Sequence, residues 1–337
     1  MKLILHIGTE KTGTTYLQHT LMLNRELLAT KSIFIPPSIA GLRSLRAYTI
    51  PFMDNFENES TRILKLAHPL QLKKAKIKLR QEIGKTLITL ESKYHTCVIS
   101  AEHFSSRTKN PEEINQALQF FLQYFDKIDV IIYLRDQFSF LVSTYSESLK
   151  SGWTGSFEEH LERIDLTDPF WNFSILLERW SATPKVTVHP FVYPRKNLNE
   201  TFDIVDDFIM QTNLNSLKTE LKTYQARTNA GLKYLGMILF RRFNSMYNSN
   251  TESHLPHKKD LNAFLKQNDK GNPYIIYQTY EGFIQENMKK TNEQIKAKYL
   301  IDLNQQFDAS YKFESKKEKN LIEEEAKNLF GQLKFLR

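Results

Sequence analysis

The stretch of this sequence best equipped for chemistry is a glycine-flanked turn that carries one lysine and several hydroxyls. It reads Gly8-Thr9-Glu10-Lys11-Thr12-Gly13-Thr14-Thr15. Before it runs Leu3-Ile4-Leu5-His6-Ile7, an apolar and β-branched run suited to a buried strand. After it comes Tyr16-Leu17-Gln18-His19-Thr20-Leu21-Met22-Leu23, where Leu17, Leu21 and the later Leu28 recur at roughly helical spacing. A strand, a Gly-rich turn and a helix N-terminus in succession make an anion site. Free backbone N–H groups and the positive end of the helix dipole both point into the turn. A second candidate is Arg135, which ends the apolar run Ile131-Ile132-Tyr133-Leu134 and precedes Leu141-Val142-Ser143-Thr144-Tyr145. A guanidinium fork grips a phosphate through paired charge-assisted hydrogen bonds. Ser143 would add a neutral donor if its helix packs back over the same anion. The plain alternatives are a glycine turn before an ordinary helix, an ion-pairing Arg135 and a packing Ser143.

The turn resembles a P-loop but departs from it in an informative way. A Walker A loop needs Lys and then Ser or Thr straight after its second Gly. Here Gly13 is followed by Thr14 and Thr15, and Lys11 comes before it. An NTPase would thereby lose its β/γ-phosphate lysine and the usual Mg²⁺ hydroxyl. Metal and nucleophile chemistry is poorly supported. With Cys97 the only cysteine, no Cys/His cluster has zinc spacing, and no Gly-x-Ser-x-Gly elbow is present.

The elements that must position these residues alternate. Strands are expected at Leu3–Ile7, Ser32–Ile35, Thr96–Ser100, Asp129–Leu134 and Lys185–Phe191. Helices are expected after the turn, at Leu70–Lys93, Pro111–Phe125, Phe138–Lys150, around Trp171–Trp180 and at Asn199–Met210. Strands apolar throughout and separated by helices imply a parallel sheet covered on both faces. The loops after those strands then gather along one edge, where ligands bind. Residues 38 to 70 are irregular and could form a loop or lid. Beyond residue 215 only helical signals remain, at 228–246, 259–267, 273–306 and 317–335.

A chain of 337 residues can bury one large α/β core, or one core with a helical annex. One cysteine excludes an internal disulfide and fits a reducing compartment. No secretion signal and no bilayer-length apolar stretch is visible, so the expected location is the cytoplasm, without a membrane span. Net charge +8 favours an acidic ligand, whether nucleotide, nucleic acid, anionic polysaccharide or phospholipid surface. Nothing resembles a nucleic-acid-binding module.

Lys11-Thr12-Gly13-Thr14-Thr15 resembles the 5′-phosphosulfate loop of the PAPS-dependent sulfotransferases, and Arg135 with Ser143 is a second match to that family. A third, partial match is Arg227-Thr228-Asn229, which departs from the Arg-Lys-Gly of the animal cytosolic enzymes. The resemblance implies an α/β, P-loop-like three-layer fold with a parallel central sheet flanked by helices, plus a helical C-terminal extension. It sets one sulfotransferase-like domain at 1–310, helical from about 215, and a helical tail at 311–337. It also implies PAPS (3′-phosphoadenosine 5′-phosphosulfate) as sulfuryl donor, with PAP as product, and direct in-line transfer without a metal. On that resemblance Thr12, Gly13, Thr14 and Thr15 hold the 5′-phosphate and Lys11 reaches the bridging oxygen, where charge develops. Tyr16 lies near the adenine, and Arg135, Ser143 and Arg227 bind the 3′-phosphate. Relatives use His or Glu near the end of an early strand as general base. Here Glu102 is slightly favoured over His103, with Glu10 third, while His6 and His19 read as structural.

The loop form looks like the carbohydrate-modifying branch, acting on heparan-type and bacterial glycans. The acceptor group is accordingly expected to be a hydroxyl, or an amine, of a glycan. The lysine-rich helix at 70–93 and the aromatics Trp153, Phe157, Trp171 and Phe173 could line a groove for an anionic sugar chain. Rival expectations are a P-loop nucleotide kinase or NTPase, a tyrosine or small-molecule sulfotransferase, and a non-enzymatic polyanion binder.

Overall fold

The computed structural model describes residues 1–41, 45–54, 64–66, 68–90, 93–194, 202–214, 217, 219–224, 231–247, 254–275, 277–304 and 316–332. The chain divides into two compact units. The first comprises Met1–Arg135, Leu166–Ala226 and Thr291–Leu303; the second comprises Asp136–Asp165, Arg227–Lys290 and Asn304–Arg337.

The first unit is α/β. Its strands are β1 (Lys2–His6), β2 (Ile33–Phe34), β3 (Thr96–Ser100), β4 (Lys127–Leu134) and β5 (Val186–Val192). They form one sheet in the order β2-β3-β1-β4-β5, with every neighbouring pair parallel. In register, His6 at the end of β1 stands level with Ser100 of β3 and Ile131 of β4. Successive side chains point to opposite faces of the sheet, and β1, β3 and β4 are buried on both. On one face Ile4, Val98, Ile131 and Tyr133 share a core with Leu17, Leu21 and Leu28, and with Ile204, Val205, Phe208 and Ile209. Leu3, Leu5, Cys97, Ile99, Val130, Ile132 and Leu134 alternate onto the other face and are equally buried. Phe104 meets both Phe121 and Trp180 edge-on, and the helix Phe173–Trp180 packs on β5. Double coverage is why the central positions of β1, β3 and β4 are apolar on both faces.

One expectation is corrected. Within 38–70, residues 45–53 are core and do not form a lid. Two 3₁₀ turns, Leu45–Tyr48 and Ile50–Phe52, bury Tyr48, Ile50 and Phe52 completely, and the helix Pro69–Ile88 packs against both turns. Short 3₁₀ turns follow neither the period of a strand nor that of an α-helix, so their apolar residues give no pattern.

The second unit is helical among its described residues: Gln137–Lys150, Phe157–Leu161, Tyr234–Met246, His254–Asn268, the first part of Tyr277–Tyr299, and Lys316–Gln332. Asn244 Nδ2 donates to the carbonyls of Leu149 and Trp153, at 2.7 and 2.8 Å. Asp269 accepts the backbone N–H groups of Lys233 and Gly236 at 2.8 Å, closing the N-terminus of Tyr234–Met246. The helix Lys316–Gln332 packs against Tyr234–Met246, where the Tyr234 hydroxyl donates to Glu323 at 2.8 Å.

Candidate functional site

The chain leaves β1 toward β2 on one side of the sheet, and leaves β4 toward β5 on the other. The boundary between β1 and β4 is thus a topological switch point, and the crevice beyond the strand ends there is where open α/β sheets bind ligands. The Gly8–Gly13 turn occupies that position.

The turn is built from three left-handed residues, Gly8 at φ +48°, Lys11 at +67° and Gly13 at +75°. Ile7 N–H still donates to the Ile131 carbonyl at 3.0 Å, so the turn rises straight from the sheet. Thr9 Oγ1 donates to the Tyr133 carbonyl at 2.8 Å, and Thr12 Oγ1 donates to the Thr9 carbonyl at 2.7 Å. Both threonines are therefore spent on shaping the turn. A Cβ on Gly8 would lie 2.6 Å from Thr14 Cγ2, so only glycine fits. Gly13 is the N-cap of the helix Thr14–Leu23, and no side chain caps that helix. Asp136, Ser156, Asn172 and Asp203 do cap the helices that follow them. The first N–H groups of Thr14–Leu23 thus lack the usual Ser, Asp or Asn oxygen and face the turn.

Arg135 closes the turn from β4. Its Nη1 donates to the Lys11 carbonyl at 3.3 Å, so the two candidate cations are joined through backbone. Tyr193 and Ile204 stand 3.4 and 3.3 Å from where a Gly13 Cβ would be, walling the turn at its helix end. The Tyr16 hydroxyl donates to Asp203 Oδ2 at 3.1 Å, while Asp203 Oδ1 caps Ile204–Gln211. Burial, and then the charge of Asp203, push the Tyr16 phenol up to about 12.

The three base candidates gather beside this turn. Glu102 follows β3 and is half-buried; its Oε2 accepts from Gln18 Nε2, and its Oε1 lies 3.8 Å from His103 Nδ1. Glu10 Oε1 lies 3.4 Å from Arg107 Nη1. His103 is buried, and that burial lowers its pKa; Arg46 and Arg107 lower it further, against the opposing charges of Glu102 and Glu10. Glu102 is more open than His103.

His6 is fully buried beneath the turn, with Nδ1 2.7 Å from Ser100 Oγ. His19 is half-buried, its ring edge-on to Tyr224. Ser143 lies in the second unit on Gln137–Lys150, partly exposed. Arg227 lies outside the described residues. The aromatic groove is corrected in part. Phe157 and Phe173 are core residues, the former against Phe138 and Tyr145, whereas Trp153 and Trp171 are partly exposed. Gln18, Arg46, Arg107 and Tyr193 were not singled out from sequence. Gln18 carries a usable signal, a polar residue on the apolar side of the Leu17–Leu21 helix; the others carry none.

Among the described residues no group of three His, Cys, Asp or Glu side chains could hold a metal ion, and no helix is long and apolar enough to cross a membrane. No family model matches the chain. No curated protein matches it either. The solved structures similar to it include two sulfotransferases. One is a sulfotransferase from Alicyclobacillus acidocaldarius, at 13% identity and TM-score 0.42, over 90% of this chain and 98% of that one. The other is the sulfotransferase domain from the curacin biosynthetic pathway, at 12% identity and TM-score 0.31, over 63% of this chain and 73% of that one.

Proposed function

We propose that the protein is a PAPS-dependent sulfotransferase that acts on a hydroxyl of a carbohydrate acceptor. One observation carries this reading: Arg135, at the end of β4, donates to the carbonyl of Lys11 inside a left-handed turn ahead of a helix with no side-chain cap. A cradle of that kind, with lysine before rather than after the second glycine, suits a phosphosulfate better than a triphosphate with Mg²⁺. PAPS supplies the sulfuryl group and a leaving phosphate. The residues present fit it, since the Gly13 N-cap opens the helix N-terminus to an anion. In this reading the first N–H groups of Thr14–Leu23, with the Thr14 and Thr15 hydroxyls, hold the 5′-phosphate. Lys11 sits at the oxygen that gains charge as the sulfur–oxygen bond breaks, which stabilises the transition state above the ground state. Arg135 binds the 3′-phosphate, and Tyr16, anchored on Asp203, stands beside the adenine. Glu102 takes the acceptor's proton while Gln18 holds it in place. Support for a carbohydrate acceptor comes from the loop's resemblance and the basic charge.

Calorimetric titration with adenosine 3′,5′-bisphosphate and with ATP–Mg²⁺ tests the donor site. Bisphosphate is expected to bind, and Arg135→Ala to weaken it about 10- to 100-fold, the equivalent of about 1.5–3 kcal/mol for hydrogen bonds to a charged group. The resemblance also names Ser143 and Arg227, and their alanine variants enter the same titration. Binding of ATP–Mg²⁺ alone, or of neither nucleotide, would overturn the proposal.

A further inference from the structure

The helix Pro69–Ile88 shows one face to the core and a second, differently organised face to solvent. Leu72, Leu79, Ile83 and Leu87 are buried, as expected of the inner side of an amphipathic helix. Yet three further aliphatic residues are open, Leu70 at 64%, Ile77 at 53% and Ile88 at 71% exposure. Their spacing places them together. Ile77 is seven residues, or two turns less about 20°, beyond Leu70, and Ile88 is eighteen residues, five full turns at 3.6 residues per turn. The three therefore form a single outward stripe about 27 Å long at 1.5 Å per residue. Lys73, Lys74, Lys78 and Lys85 are also exposed and lie on the two sides of that stripe. The helix holds one acid, Glu82, and it is set away from the stripe on the flank. Lys76 points elsewhere, 2.8 Å from Asp54.

We propose that this outward face docks the protein on an anionic phospholipid surface, with Leu70, Ile77 and Ile88 entering the acyl boundary and the four lysines meeting headgroup phosphates. A face with four exposed lysines and a single flanking acid, Glu82, carries net positive charge and is complementary to an anionic surface. The aliphatic stripe decides between surfaces of that charge. An anionic polysaccharide offers lysines a partner but gives exposed Leu and Ile none, whereas the headgroup–acyl boundary takes both. A charged face interleaved with aliphatic residues lies in the interface and does not span it. The inference does not depend on the donor-site assignment.

Co-sedimentation of the full chain with phosphatidylglycerol–phosphatidylcholine vesicles, against phosphatidylcholine vesicles, tests it in about 0.1 M salt, where the Debye length is about 10 Å. Binding is expected to be roughly ten-fold or more stronger to the anionic vesicles. The quadruple change Lys73→Gln, Lys74→Gln, Lys78→Gln, Lys85→Gln is expected to abolish that preference. The triple change Leu70→Ser, Ile77→Ser, Ile88→Ser alters only exposed positions and no charge, and is expected to weaken binding by a similar factor. Circular dichroism and bisphosphate titration of both variants confirm that the fold is kept. Equal binding to neutral and anionic vesicles, or no binding to either, would overturn the inference. So would wild-type vesicle binding by the triple serine variant, or heparin binding unaccompanied by vesicle binding; either would make the face a polyanion site.

Discussion

Acidification should loosen the packing beneath the loop, and His6 is the group through which it acts. The side chain is fully buried, its Nδ1 is 2.7 Å from Ser100 Oγ, and its ring meets Tyr133 and Phe208 edge-on. Nε2 has no hydrogen-bond partner, so a proton there would be both buried and unpaired. Burial pulls the imidazole down from its ordinary 6.5 to about 4, against the opposing charge of Glu102. Between those two values the unfolded chain carries a proton that the folded chain does not. The contribution is therefore fully present above pH 6.5 and is lost as pH falls toward 4. The slope approaches about 1.4 kcal/mol per pH unit, and integrating from pH 7 to pH 5 gives a loss of roughly 1.8 kcal/mol from His6 alone. Urea unfolding of wild type and His6→Gln at pH 7, 6 and 5 isolates it, since all other titrating groups are common to both chains. The variant is expected to be less stable at pH 7 but to lose about 1.8 kcal/mol less on going to pH 5. Parallel stability curves for the two proteins would refute the reasoning.

Two more predictions concern the turn and the base. Gly8→Ala places a methyl 2.6 Å from Thr14 Cγ2 at φ +48°, whereas Gly41→Ala, at φ +69°, meets nothing within 4 Å. Gly41→Ala should cost about 1 kcal/mol for the left-handed backbone, and Gly8→Ala about 2–3 kcal/mol with weakened bisphosphate binding, as read by urea unfolding and calorimetry; equal costs would count against the close-packed turn. Glu102→Gln should lower sulfuryl-transfer kcat roughly 10²- to 10⁴-fold while bisphosphate affinity holds, and Gln18→Leu should lower kcat with a shifted pH profile where Gln18→Asn partly restores it. An unaltered kcat in Glu102→Gln would pass the role to His103 or Glu10.

Local chemistry made the strands and the turn legible. Thr96–Ser100 matches its expected bounds, and β1, β4 and β5 match to within about two residues, because strands of a parallel sheet covered by helices read as mostly apolar runs. Asn110 with Pro111, and Ser151-Gly152, mark helix ends through capping and φ preferences that act over a few residues. What escaped was set at long range. The buried turns at 45–52 owe their place to a helix that begins at Pro69. Gln18 reaches Glu102 across 84 positions, and Tyr16 reaches Asp203 across 187. No periodicity encodes such pairs. Phe157 and Phe173 show the converse, since an aromatic that lines a groove and one that fills a core look alike in sequence.

Lys11 joins these two levels. Its left-handed φ of +67° costs a non-glycine residue about 1–2 kcal/mol, and glycines already occupy the left-handed positions on either side of it, at 8 and 13. A third glycine would relieve the backbone, so the cost is borne for the side chain. The conformation is held by the Thr12–Thr9 hydrogen bond beside it and by the Arg135 guanidinium on the Lys11 carbonyl. Backbone strain that survives only because its surroundings over-determine it is a mark of functional loops. The same Arg135 contact that fixes the strained residue also places a second cation at the turn. In the proposed reading, a lysine so held would serve the developing charge without backbone reorganisation, which a lysine on a relaxed loop would not do.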